Sequence, residues 1–443
     1  MTALARYWQA VAHLGPMAWR FLLFTTFSSI SFSMYNLNFN LYLYALGFKQ
    51  DFIGFLNGLP SLAILVLGLP IGLWADRFGY LRFLVAGAIL NALAAFGLAV
   101  SSSALLLLSF SLLSGVAGAM SWVVGAPFLM SISRPEDRVY LFAVNSAIML
   151  GTGFLGSLLA GAVPEVLAAH WGSVSTGIWP LRGALLVNFF FAFLGTVALL
   201  GLKNTGAVAK PSPAVPKTAN PLPRTWAELL LFLRLLAPQA LVALGAGAMV
   251  SFFQLFFNLR FGLEPGKIGP IFAFSSVATM VATLIAPLLA NRLGKVRTIV
   301  LTELLSIPFL LVLAYSHHLP VVIMAFYFRG ALMNMAGPVQ QTFILEQVEE
   351  GQRATLTSLG AMLGGLGRGG LGPIISGYLQ VISGFSLAFT FTTACYIVGA
   401  LLFWYLFRHN DDGPSVGATS LREAEKVSSR VAGENIPLSG GPP

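Results

Sequence analysis

Twelve long apolar stretches follow one another along the 443-residue chain, with short polar segments between them. Each approaches or exceeds the roughly 20 residues that a helix needs to cross a bilayer. Their periodicity is helical or uniformly apolar, without the ten-residue alternation of a membrane β-barrel. The pattern predicts an all-α integral membrane protein whose twelve transmembrane helices cover residues 20–46, 52–75, 81–101, 104–131, 139–163, 181–201, 237–261, 267–290, 298–316, 320–345, 354–380 and 385–407.

Composition agrees with this pattern. The chain is 57% hydrophobic and 9% charged, and its mean hydropathy is +0.81. Soluble domains carry roughly 25% charged residues, so a soluble enzyme, a disordered chain and a nucleic-acid-binding domain are excluded. Cys395 is the only cysteine, which rules out an intrachain disulfide. We expect no removable signal peptide, because no short apolar core precedes a small-residue cleavage site.

The basic residues predict an orientation. If both termini are cytoplasmic, 19 of the 25 Lys and Arg residues lie in cytoplasmic segments and four lie outside. Positive residues concentrate on the cytoplasmic side of membrane proteins, so we expect a multi-pass protein with both termini in the cytoplasm. We expect the membrane to be a plasma membrane, the inner membrane of a bacterium. The same asymmetry accounts for the net charge of +9 without a nucleic-acid partner.

One internal polar segment, residues 203–225, is rich in Pro and Lys and cannot build a core. It separates the spans six and six, and a short amphipathic segment, 226–236, follows it. The predicted organisation is a cytoplasmic N-terminal segment (1–19), a six-helix bundle (20–202), a cytoplasmic linker (203–225), a second six-helix bundle (226–407) and a disordered cytoplasmic tail (408–443).

The two halves are related by an internal repeat. With a shift of 215 residues, 47–82 matches 262–297 at 12 of 36 positions without gaps. Matched Gly and Arg at loop positions are not explained by apolar composition. Two parallel six-helix halves are typical of transporters that rock around a site near the midplane. The alternative is an ancient duplication without transport.

The connection between the second and third spans reads Gly72-Leu-Trp-Ala-Asp76-Arg77-Phe-Gly79-Tyr-Leu-Arg82. It resembles the signature loop of the major facilitator superfamily. Gly72 allows helices to approach closely, and Gly79 permits a positive φ in the turn. Asp76 suits the N-terminus of a helix in the other half. The resemblance implies that this loop latches the halves in the outward-facing state and is released as they rock.

The resemblance covers residues 17–407 and implies the major facilitator fold of two pseudo-symmetric six-helix bundles working by alternating access. The second copy of the loop keeps Arg292, Gly294 and Arg297 but has lost the leading glycine and the acid. An Asp-based latch therefore depends on the first copy.

Glycines recur in the fifth span, at Gly151, Gly153, Gly156 and Gly161. The span resembles, imperfectly, the Gly-rich fifth helix of proton-driven drug exporters in this superfamily, although their Gly-Pro pair is missing. The glycines indicate either a hinge or ordinary close packing of helices, and we favour packing.

Polar residues inside spans are costly and therefore informative. A stripe on the first span includes Asn36 and Asn40, and a shorter one on the seventh includes Gln254 and Asn258. The first and seventh helices line the central cavity in the family, so these side chains are candidate substrate contacts. The alternative is hydrogen bonding between helices.

Two arginines lie deep in the spans, Arg329 in the tenth and Arg368 in the eleventh. Each needs a partner or a wet cavity, and a guanidinium suits a carboxylate or phosphate. The first and fourth spans lack the acid typical of exporters of cations. We therefore predict that both arginines bind a substrate, and that it is anionic. Alternatively, Arg329 has a structural or coupling role.

Glu303, in the ninth span, is the only acid well inside a span. It could pair with an intramembrane Arg, carry a coupling proton or reach the cytoplasmic edge, and we favour structural pairing. We name Glu303 and Asp76 as the candidate coupling residues.

Together these features predict a secondary active transporter of a small organic solute, with proton-coupled efflux or exchange. The alternatives are an uncoupled facilitator or importer, and a transporter-like lipid-handling or sensor protein. We expect no enzyme activity, cofactor, metal or ATP site. The expected partners are the solute, protons and the lipid bilayer, and the expected state is a monomer.

Overall fold

A computed structural model describes residues 15–133, 138–202, 226–348 and 350–408. Residues 1–14, the linker 203–225 and the tail from 409 lie outside the described residues, and so do the predictions made for these three segments. The helices are α1 (Pro16–Ala45), α2 (Gln50–Phe78), α3 (Tyr80–Val100), α4 (Ala104–Ser131), α5 (Arg138–Trp171), α6 (Ile178–Leu200), α7 (Trp226–Val250), α8 (Phe253–Phe261), α9 (Pro265–Leu293), α10 (Lys295–Tyr315), α11 (Leu319–Glu346), α12 (Glu350–Gly365) and α13 (Gly372–Phe407).

The helices account for the twelve predicted spans. Within the described ranges, 10 helical segments are long and apolar enough to cross a membrane. The last of them, Thr355–Phe407, has 53 residues, would extend about 80 Å and therefore makes two passes. Its chain breaks at Ser383 and Gly384, where Gly384 has φ 67°. The remaining span is α1, whose 30 residues are long enough but whose Ser and Asn residues lower its hydropathy. The prediction of an all-α membrane protein is confirmed.

The internal repeat extends well beyond the 36 aligned residues. Three consecutive helices in the first half, α2, α3 and α4, begin and end 215 residues before α9, α10 and α11. Glycines with positive φ occupy the matched turns: Gly47 (90°) and Gly262 (63°), then Gly79 (97°) and Gly294 (89°). The two copies therefore share the same helix boundaries, residue for residue, although most of their side chains differ.

Among the described residues, the buried apolar clusters join the halves at one end only. One buried cluster contains residues of both halves, such as Leu41 and Ile53 with Phe256. A second cluster, around Leu84 and Phe128, belongs entirely to the first half. A third, around residues 299 and 343, belongs entirely to the second half. We call the shared end, where α1 ends and α2 begins, the closed end, and the opposite end, which carries the loop 72–82, the open end.

The seventh span differs from its predicted form. The amphipathic segment 226–236 is continuous with the membrane helix as α7, and a break follows at Ser251 and Phe252. Phe252 has φ −118° and ψ 3°, which is not helical. A broken helix leaves backbone carbonyls without their usual partners, so other donors must satisfy them.

Candidate functional site

Arg329 lies on α11 and is buried inside the second half, at 4% exposure. Its Nη2 donates a hydrogen bond to the Tyr396 hydroxyl on α13. Its guanidinium carbon lies 5.8 Å from the ring centre of Phe253 and 5.6 Å from that of Tyr396. Aromatic faces and one hydroxyl therefore surround this charge, and its Nε has no hydrogen-bond partner.

Arg368 lies in a π-helical turn, Leu366–Leu371, between α12 and α13. A π turn inserts an extra residue into a helix and frequently marks a functional site. The Arg368 side chain is exposed, and it forms no hydrogen bond or ion pair with the residues that the structure describes. Its backbone packs on Gly247 of α7, and Tyr396, the hydrogen-bond partner of Arg329, packs on Gly245 of the same helix. The two arginines, predicted separately, are therefore linked through α7 and Tyr396 and form one candidate site.

The glycines around Arg368 pack the π turn between α7 of its own half and α2 of the first half. On one side, a Cβ at Gly372 would lie 2.7 Å from the Cα of Gly247 in α7, so the backbones touch. On the other side, Gly369 and Gly370 face Ser61 and Leu62 of α2, in the first half. Arg368 therefore lies where the second half meets the first.

No described acid neutralises the arginine pair. Glu303 is 3% exposed on α10, but among the described residues its carboxylate accepts no hydrogen bond and forms no ion pair. Ser306, one turn further along, donates to the Glu303 backbone carbonyl at 2.6 Å and not to the side chain. The ion pair expected between Glu303 and an intramembrane Arg is absent from the described part of the chain.

The predicted amides of the first and seventh spans meet at the break between α7 and α8. Asn40 Nδ2 donates to the Ser251 carbonyl at 2.5 Å, and Gln254 Nε2 donates to the same oxygen at 2.9 Å. Asn57 Nδ2 on α2 donates to Asn40 Oδ1 at 2.9 Å. Both Asn40 and Gln254 are 3% exposed. Two predicted contacts therefore satisfy a backbone carbonyl freed by the break, and Asn40 does so across the halves.

The other two predicted amides lie apart from that break. Asn36 is exposed and donates from Nδ2 to the Phe32 carbonyl of its own helix at 3.0 Å. Asn258 Nδ2 donates to the Leu263 carbonyl at 2.9 Å, near the turn at Gly262 that ends α8. Of the four amides, Asn36 is the one that remains exposed on the polar stripe of α1.

A family model described as the Major Facilitator Superfamily matches residues 21–370 and, in a second overlapping match, residues 261–435. The chain belongs to the major facilitator superfamily. It is therefore a multi-pass membrane transporter rather than an enzyme. A comparison with curated protein sequences found no match.

Solved structures of this superfamily share the fold. A bacterial homologue of the human lysosomal transporter Spinster, inward-facing and occupied, superimposes with TM-score 0.70 and 15% identity, over 90% of this chain and 98% of that chain. The nucleoside transporter NupG gives TM-score 0.71 and 13% identity, over 88% of this chain and 99% of that chain. At these identities the likeness shows the fold alone.

The superfamily's signature loop lies at the open end. Asp76 is exposed and accepts a hydrogen bond from the Tyr80 hydroxyl of its own half at 2.7 Å. A Cβ at Gly72 would meet only Val123, also of the first half. Among the described contacts, nothing joins Asp76 to the second half, so the predicted latch is not formed in this conformation.

The basic residues of the two loop copies point outward. Arg77, Arg82, Arg292 and Arg297 are all exposed. In the second copy an ion pair between Lys295 and Glu346, 2.5 Å from Nζ to Oε2, connects α10 to α11. Lys295 occupies the position that Tyr80 occupies in the first copy.

Some residues of the site were not predicted from the sequence. Tyr396 and Phe253 surround Arg329, Asn57 supports Asn40, and Glu165 on α5 contacts the second half at the closed end. Tyr and Phe are common in apolar helices, so nothing in the sequence distinguishes those that contact a buried charge. Glu165 stood near the predicted end of its span, where an acid needs no special explanation.

Proposed function

We propose that this transporter moves a small organic solute that carries an anionic group, and that Arg368 binds that group. The observation that supports this most strongly is the arginine pair: Arg368 and Tyr396, the partner of Arg329, pack on α7 two residues apart, and no described acid neutralises either arginine. Arg329 is buried where the dielectric constant is low, so a second positive charge nearby is costly unless an anion lies beside the pair. An anionic solute would remove that cost on binding.

The two arginines have different roles in this proposal. Arg368 is exposed at the interface between the halves and presents its guanidinium to the solute. Arg329 is buried in the second half, donates a hydrogen bond to Tyr396 and adds positive potential to the site. A bidentate guanidinium recognises carboxylate and phosphate oxygens well, so both are candidate groups. Asn36, exposed on α1, is the candidate polar contact from the first half.

A thermal-shift screen of the purified protein against metabolites and drugs tests this proposal. We expect anionic compounds to raise the unfolding temperature and neutral or cationic ones to leave it unchanged. Arg368→Gln should weaken binding of an anionic hit by about tenfold or more, because hydrogen bonds to charged groups contribute about 1.5–3 kcal/mol. Arg368→Lys, which keeps the charge and loses the bidentate geometry, should lie in between.

Arg234→Gln is the matched control, because Arg234 is exposed on α7 outside the site. It should bind like the parent protein. The proposal is contradicted if all hits are neutral or cationic. It is also contradicted if an anion binds Arg368→Gln as tightly as it binds the parent protein.

The proposal extends to the energy source and to the orientation in the membrane. We infer a proton-driven efflux or exchange in which bundles 20–202 and 226–407 rock, in a monomer whose open end faces the cytoplasm of a bacterial cell. The family resemblance and the excess of basic residues at the open end support this. The test is the flux of the identified anion into proteoliposomes, measured with and without an imposed pH gradient. A flux that depends on the gradient indicates proton coupling, and a flux that does not indicates an uncoupled facilitator. Binding without flux would indicate a sensor.

A further inference from the structure

At the closed end, a carboxylate of the first half lies at the start of a helix of the second half. Glu165 lies near the end of α5, and its Oε1 accepts a hydrogen bond from the Gly266 backbone N–H at 3.0 Å. Gly266 is the second residue of α9, which begins at Pro265. The bond therefore runs between the two halves, directly onto a helix N-terminus.

The start of α9 needs such a partner. The first backbone N–H groups of a helix have no partner within it, and the aligned peptide dipoles make this end positive. Pro265 has no N–H, and Glu264, at the N-cap position, makes no capping hydrogen bond with its side chain. The Gly266 N–H is thus the first free donor, and Glu165 satisfies it from the other half.

The packing around this bond leaves it little freedom. A Cβ at Gly161 would lie 2.6 Å from the Pro265 carbonyl oxygen and 3.1 Å from the Cα of Gly269. A Cβ at Gly266 would lie 2.6 Å from Glu165 Cγ and 2.7 Å from its Oε1. The backbones of α5 and α9 therefore touch here, and separating the halves at this end must break the bond.

We infer that Glu165 is a positioning residue for alternating access: by capping α9 across the halves, it stabilises the conformation in which this end is closed. The inference rests on the rocking of the two halves in the proposed function, but not on the charge of the solute. Its test measures distances within the protein, so it can fail while anion binding succeeds, or succeed while anion binding fails.

Distances between spin labels give the readout. Replacing the single cysteine by Cys395→Ala provides the background. One label pair at the closed end, Lys49→Cys with Ser383→Cys, and one at the open end, Met130→Cys with Thr342→Cys, use exposed positions on opposite halves.

Glu165→Ala should shift the equilibrium about tenfold toward longer closed-end distances and shorter open-end distances, since it removes a charge-assisted bond. Glu165→Gln keeps an acceptor oxygen but loses the charge, and should give a smaller shift in the same direction. Gly266→Ala perturbs the same hydrogen bond from the side of the second half. Its methyl group would displace the carboxylate, so it should reproduce the shift while leaving the charge of Glu165 in place.

Glu264→Gln is the matched control, because it removes an acid from the same helix N-terminus without touching the bond between the halves. Its distance distributions should equal those of the background. The inference is overturned if Glu165→Ala and Gly266→Ala both leave the closed-end distances unchanged. An equal shift in Glu264→Gln would also overturn it, because that result would assign the effect to charge alone.

Discussion

At the scale of single residues, Asn36 and Asn40 show how one sequence pattern divides into two roles. They lie one turn apart on the polar stripe of α1, and in the sequence they are equivalent candidates for a substrate contact. In the structure Asn36 is exposed and bonds its own helix, whereas Asn40 is buried between α2 and the break after α7. The difference depends on helices that are distant in the chain.

We predict that Asn40→Ala lowers the free energy of unfolding by about 1 kcal/mol, because it removes two hydrogen bonds between helices, each worth about 0.6 kcal/mol in membrane proteins. Asn36→Ala should leave stability unchanged, since the lost bond lies within one exposed helix. Denaturation of both variants in detergent measures this. An equal loss in the two variants would show that the bonds of Asn40 are not what stabilises the fold.

Arg329 and Arg368 illustrate the same dependence. The sequence identifies both as unusual, because charge inside a span is costly. It does not indicate that they form one site, since Arg329 lies on α11 and Arg368 in the π turn after α12. Their link through α7 and Tyr396 converts two separate anomalies into one candidate anion site.

At the scale of helices, the glycines of the fifth span were open to two interpretations. The structure shows α5 as one unbroken helix of 34 residues, which favours packing over a hinge. Gly156 packs against α1, and Gly161 packs against α9 of the other half. Gly151 and Gly153 face open space. Only Gly161 therefore affects how the halves meet.

We predict that Gly161→Ala moves the closed-end label distances outward, because its methyl group would meet backbone atoms of α9 that cannot rotate away. Gly153→Ala is the control: it changes the same helix in the same way but meets nothing within 4 Å. It should leave the distances unchanged. If Gly161→Ala gave the distances of the background, the contact between α5 and α9 would have no role in closing this end.

At the scale of the whole molecule, one apolar cluster shared by both halves and two clusters confined to single halves define a conformation that is closed at one end. The loop 72–82 lies at the separated end, with Asp76 exposed. Any latch involving Asp76 must therefore belong to the opposite conformation, in which this end closes.

We predict that Asp76→Asn leaves the present conformation intact and depletes the opposite one. The open-end label pair should lose short distances, by about two- to fivefold in population, because a charge at a helix N-terminus contributes about 0.3–1 kcal/mol. Unfolding temperature should stay unchanged, since the bond to Tyr80 is exposed. A variant with an unchanged share of short distances would remove Asp76 from the gating mechanism.

The sequence by itself determined the helical class, the twelve spans, the repeat and the signature loop. These follow from local requirements: a helix must present apolar residues to lipid over about 20 positions, and a tight turn needs glycine where φ is positive. The 215-residue shift between α2–α4 and α9–α11 can be detected in the sequence for the same reason.

Only the tertiary structure decided which polar groups meet. The break after α7, the π turn at Arg368, the shared site of the two arginines and the bond from Glu165 to α9 all depend on how separate helices pack. In a medium with little water, a freed carbonyl needs a donor that packing brings near it, as Asn40 is brought to the Ser251 carbonyl. That donor lies far away in the chain, so no local pattern identifies it.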